Sequence, residues 1–376
     1  MSAPARSLAE YVGCTLVVGF EGDSVPATVA REMESRRRGG VILFRRNGHA
    51  PSHVHALCKQ LHALLHGDGS APLVCVDQEG GRVERVRPPL VALPPALSMA
   101  NLDDAEIERV AHAQSTSLLA VGFTMNFAPV LDVHSREENP VIGDRAFGRT
   151  PERAAQKALA FARGMRAAGI LSCGKHWPGH GDTTVDSHVA LPTVSRTRTE
   201  LDAQELSPFR AACPDGVDSL MTAHVVFPAL DDARAATTSP RISTQLLRDE
   251  LGFRGVLFSD DLEMRALTAP VGESAVSAML AGCDALLVCR QESAAQDAFE
   301  ALLREAERSP AFRARIEEAA TRVTQMRARA VRGAGEIATS DTALTALLAT
   351  EHERVRDTLA RVMPAAIAVD PTEKAS

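Results

Sequence analysis

Short apolar, β-branched runs alternate along this chain with longer amphipathic stretches, and the alternation repeats. The pattern predicts strands over residues 14–20, 40–44, 73–77, 125–129, 169–174, 219–224, 256–259 and 285–289. Between them, apolar residues recur at helical spacing over residues 52–65, 104–121, 151–168, 243–251 and 293–306. Eight apolar strands, most followed by a helix, describe a parallel sheet buried on both faces. In 376 residues, eight βα units favour a (β/α)8 barrel over an open doubly wound sheet. No G-x-G-x-x-G opens a helix after the first strand, which weighs against dinucleotide binding. No linker splits the chain before about residue 333, so residues 1–333 read as one catalytic domain. Residues 334–376 read as an extension holding a last helical pattern, 342–362, and a mobile tail.

Composition narrows the classes. A formal charge of −7 gives no electrostatic footprint for nucleic acid, and no apolar run approaches a membrane span. The run over residues 12–20 lacks a basic head and a cleavage site, so it reads as a buried strand rather than a leader. Seven cysteines (Cys14, Cys58, Cys75, Cys173, Cys213, Cys283 and Cys289) form no CxxC, which suits a reducing cytoplasm. Twelve Phe, one Trp and one Tyr leave few faces for stacking a polymer along a groove.

Chemistry in such a barrel collects at the C-terminal ends of strands. Six of the eight expected strand ends carry ionisable residues there, from Arg45 and Arg46 after the second to Asp260 and Asp261 after the seventh. The densest stretch is KHWPGHGDTTVDSH, residues 175–188. Its Gly179 and Gly181 flank His180 and give the loop room to close over a ligand. One reading makes His176, His180, Asp182 and His188 zinc ligands, although no helical H-E-x-x-H is present and Lys175 and Asp260 would lack roles. The other is glycosyl transfer, which needs an acid for the leaving oxygen and a carboxylate for the anomeric centre. Asp260, ending a buried strand, suits the nucleophile. Asp186 and His188, two apart in an extended segment, suit an acid whose imidazole is oriented and charged by its neighbour. Plainer readings stand beside these: Asp260 or Asp261 capping a following helix, His224 as a hydrogen-bonded wall, Cys173 and Met221 as core, and Arg45 and Arg46 as solvated charges.

The motifs VDQEGGRVERV, NPVIGDRAFG, KHWPGHGDTTVDSH, MTAHVVFP and FSDDLEM, in this order along the chain, resemble segments of the bacterial β-N-acetylhexosaminidases of glycoside hydrolase family 3. The resemblance covers roughly residues 10–330 and is similar in particular to single-domain cytoplasmic enzymes of peptidoglycan recycling. It implies a retaining exo-β-N-acetylglucosaminidase acting through a covalent intermediate on N-acetylglucosaminides such as anhydro-muropeptides. It further implies Asp260 as nucleophile, His188 as acid/base and Asp186 as its partner, with Asp77, Arg85, Arg145, Lys175 and His176 around the sugar hydroxyls. His224 and Asp261 are supporting candidates. No metal or other cofactor is implied, and a monomer is expected. Trp177 stands where the family more often has Phe. A β-glucosidase or phosphorylase of the same family, a metallohydrolase and a non-catalytic sugar-binding barrel are the rival readings.

Overall fold

A computed structural model describes residues 6–64, 72–184, 190–333 and 337–367. Among the described residues there are ten strands: β1 (Leu16–Val18), β2 (Gly40–Leu43), β3 (Leu73–Val76), β4 (Met125–Asn126), β5 (Leu171–Trp177), β6 (Ser219–Thr222), β7 (Val226–Phe227), β8 (Asp231–Ala235), β9 (Val256–Asp261) and β10 (Ala285–Val288). Eight of them close a barrel in the order β1-β2-β3-β4-β5-β6-β9-β10, with every neighbouring pair parallel. This is the (β/α)8 architecture expected from the alternation. β7 and β8 form a separate antiparallel ribbon after β6 that the pattern did not suggest.

The differences from expectation lie at element ends. Residues 8–14 are helical (Leu8–Cys14), so the first strand, expected over residues 14–20, is confined to Leu16–Val18. Ser7 caps that helix through a reciprocal box with Glu10, a Ser-x-x-Glu signal that outweighs the apolar run behind it. β5 starts at Leu171 because Gly169, at φ +95°, is the left-handed cap of helix Pro151–Ala168. It then runs three residues beyond its expected end, through Lys175 and His176. β9 likewise runs on through Asp260 and Asp261. Both extensions put candidate chemistry on rigid strand instead of loop.

The barrel interior is filled by side chains such as Ile42, Cys75, Phe127, Cys173, Met221, Phe258 and Leu287. Phe127 and Phe258 meet edge to face at 5.3 Å between centroids. Cys173 and Met221 are therefore core, as the plainer reading had them. Helix Pro310–Gly333, which the sequence pattern did not single out, presses Ala320, Val323 and Met326 into the same cluster and stoppers one end of the barrel. Asp284 ties that region together, paired with Arg248 at 2.5 Å, Arg315 at 2.7 Å and Arg322 at 3.0 Å.

Helix Asp341–Ala360 buries Leu344, Leu348, Val355 and Leu359 and packs on helix Asp104–Val121. All seven cysteines are free, and all but Cys213 are buried. No helix among the described residues is long and apolar enough to cross a membrane.

Candidate active site

The site begins with two strand ends. Asp77 directly follows β3, with Glu79 two residues on, while Lys175 lies within β5. The Lys175 ammonium sits 2.7 Å from Asp77 Oδ1 and 2.6 Å from Glu79 Oε1. Arg145, in the short turn Gly143–Arg145, grips Glu79 with Nε and Nη2, each donating at 2.8 Å. Such a fork-on-carboxylate pair fixes both planes. Burial opposes ionisation of Glu79, but Arg145 and Lys175 together hold its carboxyl well below the usual range. Burial likewise opposes the Lys175 charge, and Asp77 and Glu79 outweigh it and raise its pKa. Glu79 and Lys175 therefore stay charged around neutral pH, braced by Arg145 and Asp77.

A second centre lies beside the first. Asp132, fully buried after β4, accepts from His176 Nδ1 at 2.6 Å and from the His176 and His180 amides at 3.1 and 2.7 Å. His180 is itself buried; that burial and the adjacent His176 push its ring down to about 4, so it is neutral. The loop onset is pinned further by Asn139, whose amide donates to the carbonyls of His180 and Gly181 at 2.9 Å each. Asn139 Oδ1 meanwhile accepts from Val141 and Ile142, which binds the two signature motifs into one piece. A Cβ on Gly181 would stand 1.8 Å from the Val133 carbonyl oxygen. This glycine thus serves close packing against a neighbouring loop, not the freedom to bend that the sequence suggested. Asp182 is committed to Arg136 and Arg196, each at 3.0 Å, so the zinc reading would have to break two ion pairs to recruit it. Further along, the Val194 amide donates to the carbonyl of Val226 in β7 and the Val226 amide donates to the Pro192 carbonyl, each at 2.9 Å. Asp186 and His188 lie outside the described residues.

The third centre is the end of β9. Asp260 Oδ1 accepts the Asp261 amide at 2.8 Å. Asp261 Oδ1 accepts the amides of Glu263 and Cys289, closing a turn. No helix follows until Val271, so neither aspartate is a helix cap, and the plainer reading of this pair falls. Burial, with Glu263 and Asp260 as like charges, pushes Asp261 up to about 7. His224, fully buried on the neighbouring wall, donates from Nε2 to the Asp261 carbonyl at 2.9 Å and pairs through Nδ1 with Thr237 at 2.7 Å. It braces the backbone of this turn. Because every neighbouring pair in the barrel is parallel, the ends of β3 and β9 open at the same mouth, which puts Asp77, Asp260 and Asp261 at one end of the barrel.

Arg85 is buried in the loop after β3, its amide held by Gln78 Oε1 at 2.8 Å and its guanidinium 5.9 Å from the Phe44 ring. Arg45 and Arg46 are not merely solvated charges. Arg45 donates to the Glu84 carbonyl at 2.7 Å, and Arg46 to the carbonyls of Phe20 and Cys289, stitching strand ends together. Trp177 is fully buried against Phe209, so it offers no face to a ligand.

Sequence reading gave Glu79 and Asp132 no role, although both stand in strand-end motifs. The available signal was spacing: Glu79 is two residues from Asp77, on the same side of an extended chain. Asp132 carried no local signal, because its partners are 44 and 48 residues away.

Residues 13–326 match the model of the glycosyl hydrolase family 3 N-terminal domain. A β-hexosaminidase of Alkalilimnicola ehrlichii is 40% identical over 288 residues, covering 74% of this chain and 81% of the relative. One from Pseudomonas aeruginosa is 43% identical over 271 residues, covering 71% and 79%. The solved family 3 β-N-acetylglucosaminidase of a Paenibacillus species superposes with a TM-score of 0.83 at 37% identity, covering 93% of this chain and 69% of that one. With the barrel and its charged mouth in place, these likenesses settle the kinship: the chain belongs to glycosyl hydrolase family 3 and is a glycoside hydrolase of its β-N-acetylhexosaminidase kind.

Proposed function

We propose that this protein is a retaining exo-β-N-acetylglucosaminidase that releases a terminal non-reducing sugar through a covalent intermediate on Asp260. The observation that supports it most is the strand-borne Asp260 at the same barrel mouth as the Asp77–Lys175–Glu79–Arg145 network. In this reading the Asp260 carboxylate bonds to the anomeric carbon as the glycosidic C–O bond breaks, and His188 gives its proton to the leaving oxygen. Water then bonds to the same carbon, returning a proton to His188 and freeing Asp260. Asp186 orients the His188 ring. Asp77, Arg85, Arg145, Lys175 and His176 hold the hydroxyls of the sugar. No metal or other cofactor takes part.

The aglycone is proposed to be the anhydro-muramyl part of muropeptides recovered from the cell wall, handled by a monomer in the cytoplasm. Residues 1–333 form the catalytic domain in this reading and residues 334–376 an extension to it. Exo action accords with the aromatic inventory: the lone Trp is buried, and the lone Tyr lies in the first helix.

The test is a comparison of aryl β-N-acetylglucosaminide with aryl β-glucoside, with and without phosphate, following the first-formed anomer by NMR. The N-acetyl substrate should be strongly preferred, phosphate should add nothing, and the β-anomer should appear first. Preference for the glucoside, a phosphate requirement or an α-anomer would each overturn the reading. For His188→Ala, turnover of a natural disaccharide should fall by about 10²–10⁴-fold. An aryl substrate, whose leaving group needs less protonation, should lose less, and equal losses would mark the histidine as structural.

A further inference from the structure

We infer that Asp132 is a positioning residue for the reaction, fixing the tautomer and orientation of His176 together with the onset of the loop that continues to His188. The inference rests on the reading of His176 as a sugar-binding group.

Asp132 is 1% exposed and touches only donors: His176 Nδ1, the His176 amide and the His180 amide. An ionised carboxylate can only accept, so the His176 proton on that side must reside on Nδ1. Burial works against the Asp132 charge, yet His176 and His180 hold its pKa below the ordinary range, so the acceptor character persists. With Nδ1 engaged, the opposite ring nitrogen, Nε2, is the one left to meet a ligand, and its hydrogen-bonding sense is dictated from behind. The same carboxylate, through its other oxygen, holds the amide of His180 at 2.7 Å. One buried group that does not itself touch the sugar thus sets both the ring at the end of β5 and the first turn of the loop.

Asp132→Asn separates this from a packing role, because the two side chains have nearly the same shape. The amide brings one acceptor and one donor where two acceptors are needed. Either its NH2 opposes the His180 amide and unseats the loop, or it faces His176 and drives the ring proton to Nε2.

The experiment measures imidazole 15N shifts of His176 in wild type and Asp132→Asn, alongside kcat and KM on an aryl β-N-acetylglucosaminide. The same substitution is measured in a His176→Ala background. Wild type should carry the proton on Nδ1, and Asp132→Asn should either move it to Nε2 or, keeping it, expose the His180 amide to faster hydrogen exchange. A misplaced binding group costs about 10²-fold in kcat/KM, and Asp132→Asn should cost clearly less once His176 is gone. An Nε2–H tautomer in wild type, an unchanged kcat/KM, or equal losses in both backgrounds would overturn the inference. Should Asp132→Asn not fold, the wild-type tautomer decides alone. If the wild type cleaves no β-N-acetylglucosaminide, the proposed function falls, while the spectrum still tells whether Asp132 governs His176.

Discussion

Asp260→Ala should reduce turnover of an aryl β-N-acetylglucosaminide by about 10⁴-fold or more, since removing a nucleophile removes the covalent route itself. The fold should survive, because the residue lies next to last in a strand whose inward neighbour Phe258 and backbone pairing are untouched. Azide supplied as an external nucleophile should restore part of the rate and yield the α-glycosyl azide, the product expected when attack comes from the vacated face. Near-wild-type turnover would remove Asp260 from the mechanism. Asp261→Asn makes the contrast: its side chain serves a turn, with a carboxyl already pushed up to about 7, so a neutral amide should be tolerated far better. Steady-state kinetics on the pair, with circular dichroism as the control, tells nucleophile from neighbour.

Glu79→Ala should be the most damaging change to the binding network. It leaves the buried Lys175 with Asp77 alone and takes the bidentate partner from Arg145. Breaking a buried pair in this way costs about 3–5 kcal/mol, read as a lower midpoint in denaturant with an unchanged slope. The pH dependence has a definite sign. A carboxyl held below its ordinary pKa contributes stability that is fully present above that ordinary value and lost as pH falls through the folded one. Wild type should therefore lose stability on acidification below about pH 4, and Glu79→Ala should lack that part of the loss. A variant with the same acid sensitivity as wild type would show that the stability resides elsewhere.

The two changes also show what could be read from the chain before its fold. The position of Asp260 was legible because it follows a run of buried apolar residues, and a strand end in a barrel is a defined place. Lys175 and His176 were legible through the density of their loop. Their positions on β5 itself were not, since Gly169 moved the strand start forward and apolarity says little about where pairing stops. The Leu8–Cys14 helix was masked by the apolar run behind it, although Ser7 and Glu10 carried its capping signal. Helix Pro310–Gly333 escaped notice, and with it the stopper at the barrel end. Asp132 and Arg46 lay beyond reach for one physical reason: their partners are long-range backbone and ring atoms that only tertiary closure brings near.

The four charges of the first centre, two carboxylates and two cations, add to zero within a few ångströms. That network by itself therefore casts no net field over a distance and gathers no counterions that a ligand would have to displace. In the proposed reading, capture of the sugar is left to short-range hydrogen bonds, which favour the one hydroxyl pattern that matches the fixed positions of Asp77, Lys175 and Arg145. A site balanced in this way discriminates by shape and donor sense, with diffusion rather than attraction bringing the ligand to the mouth.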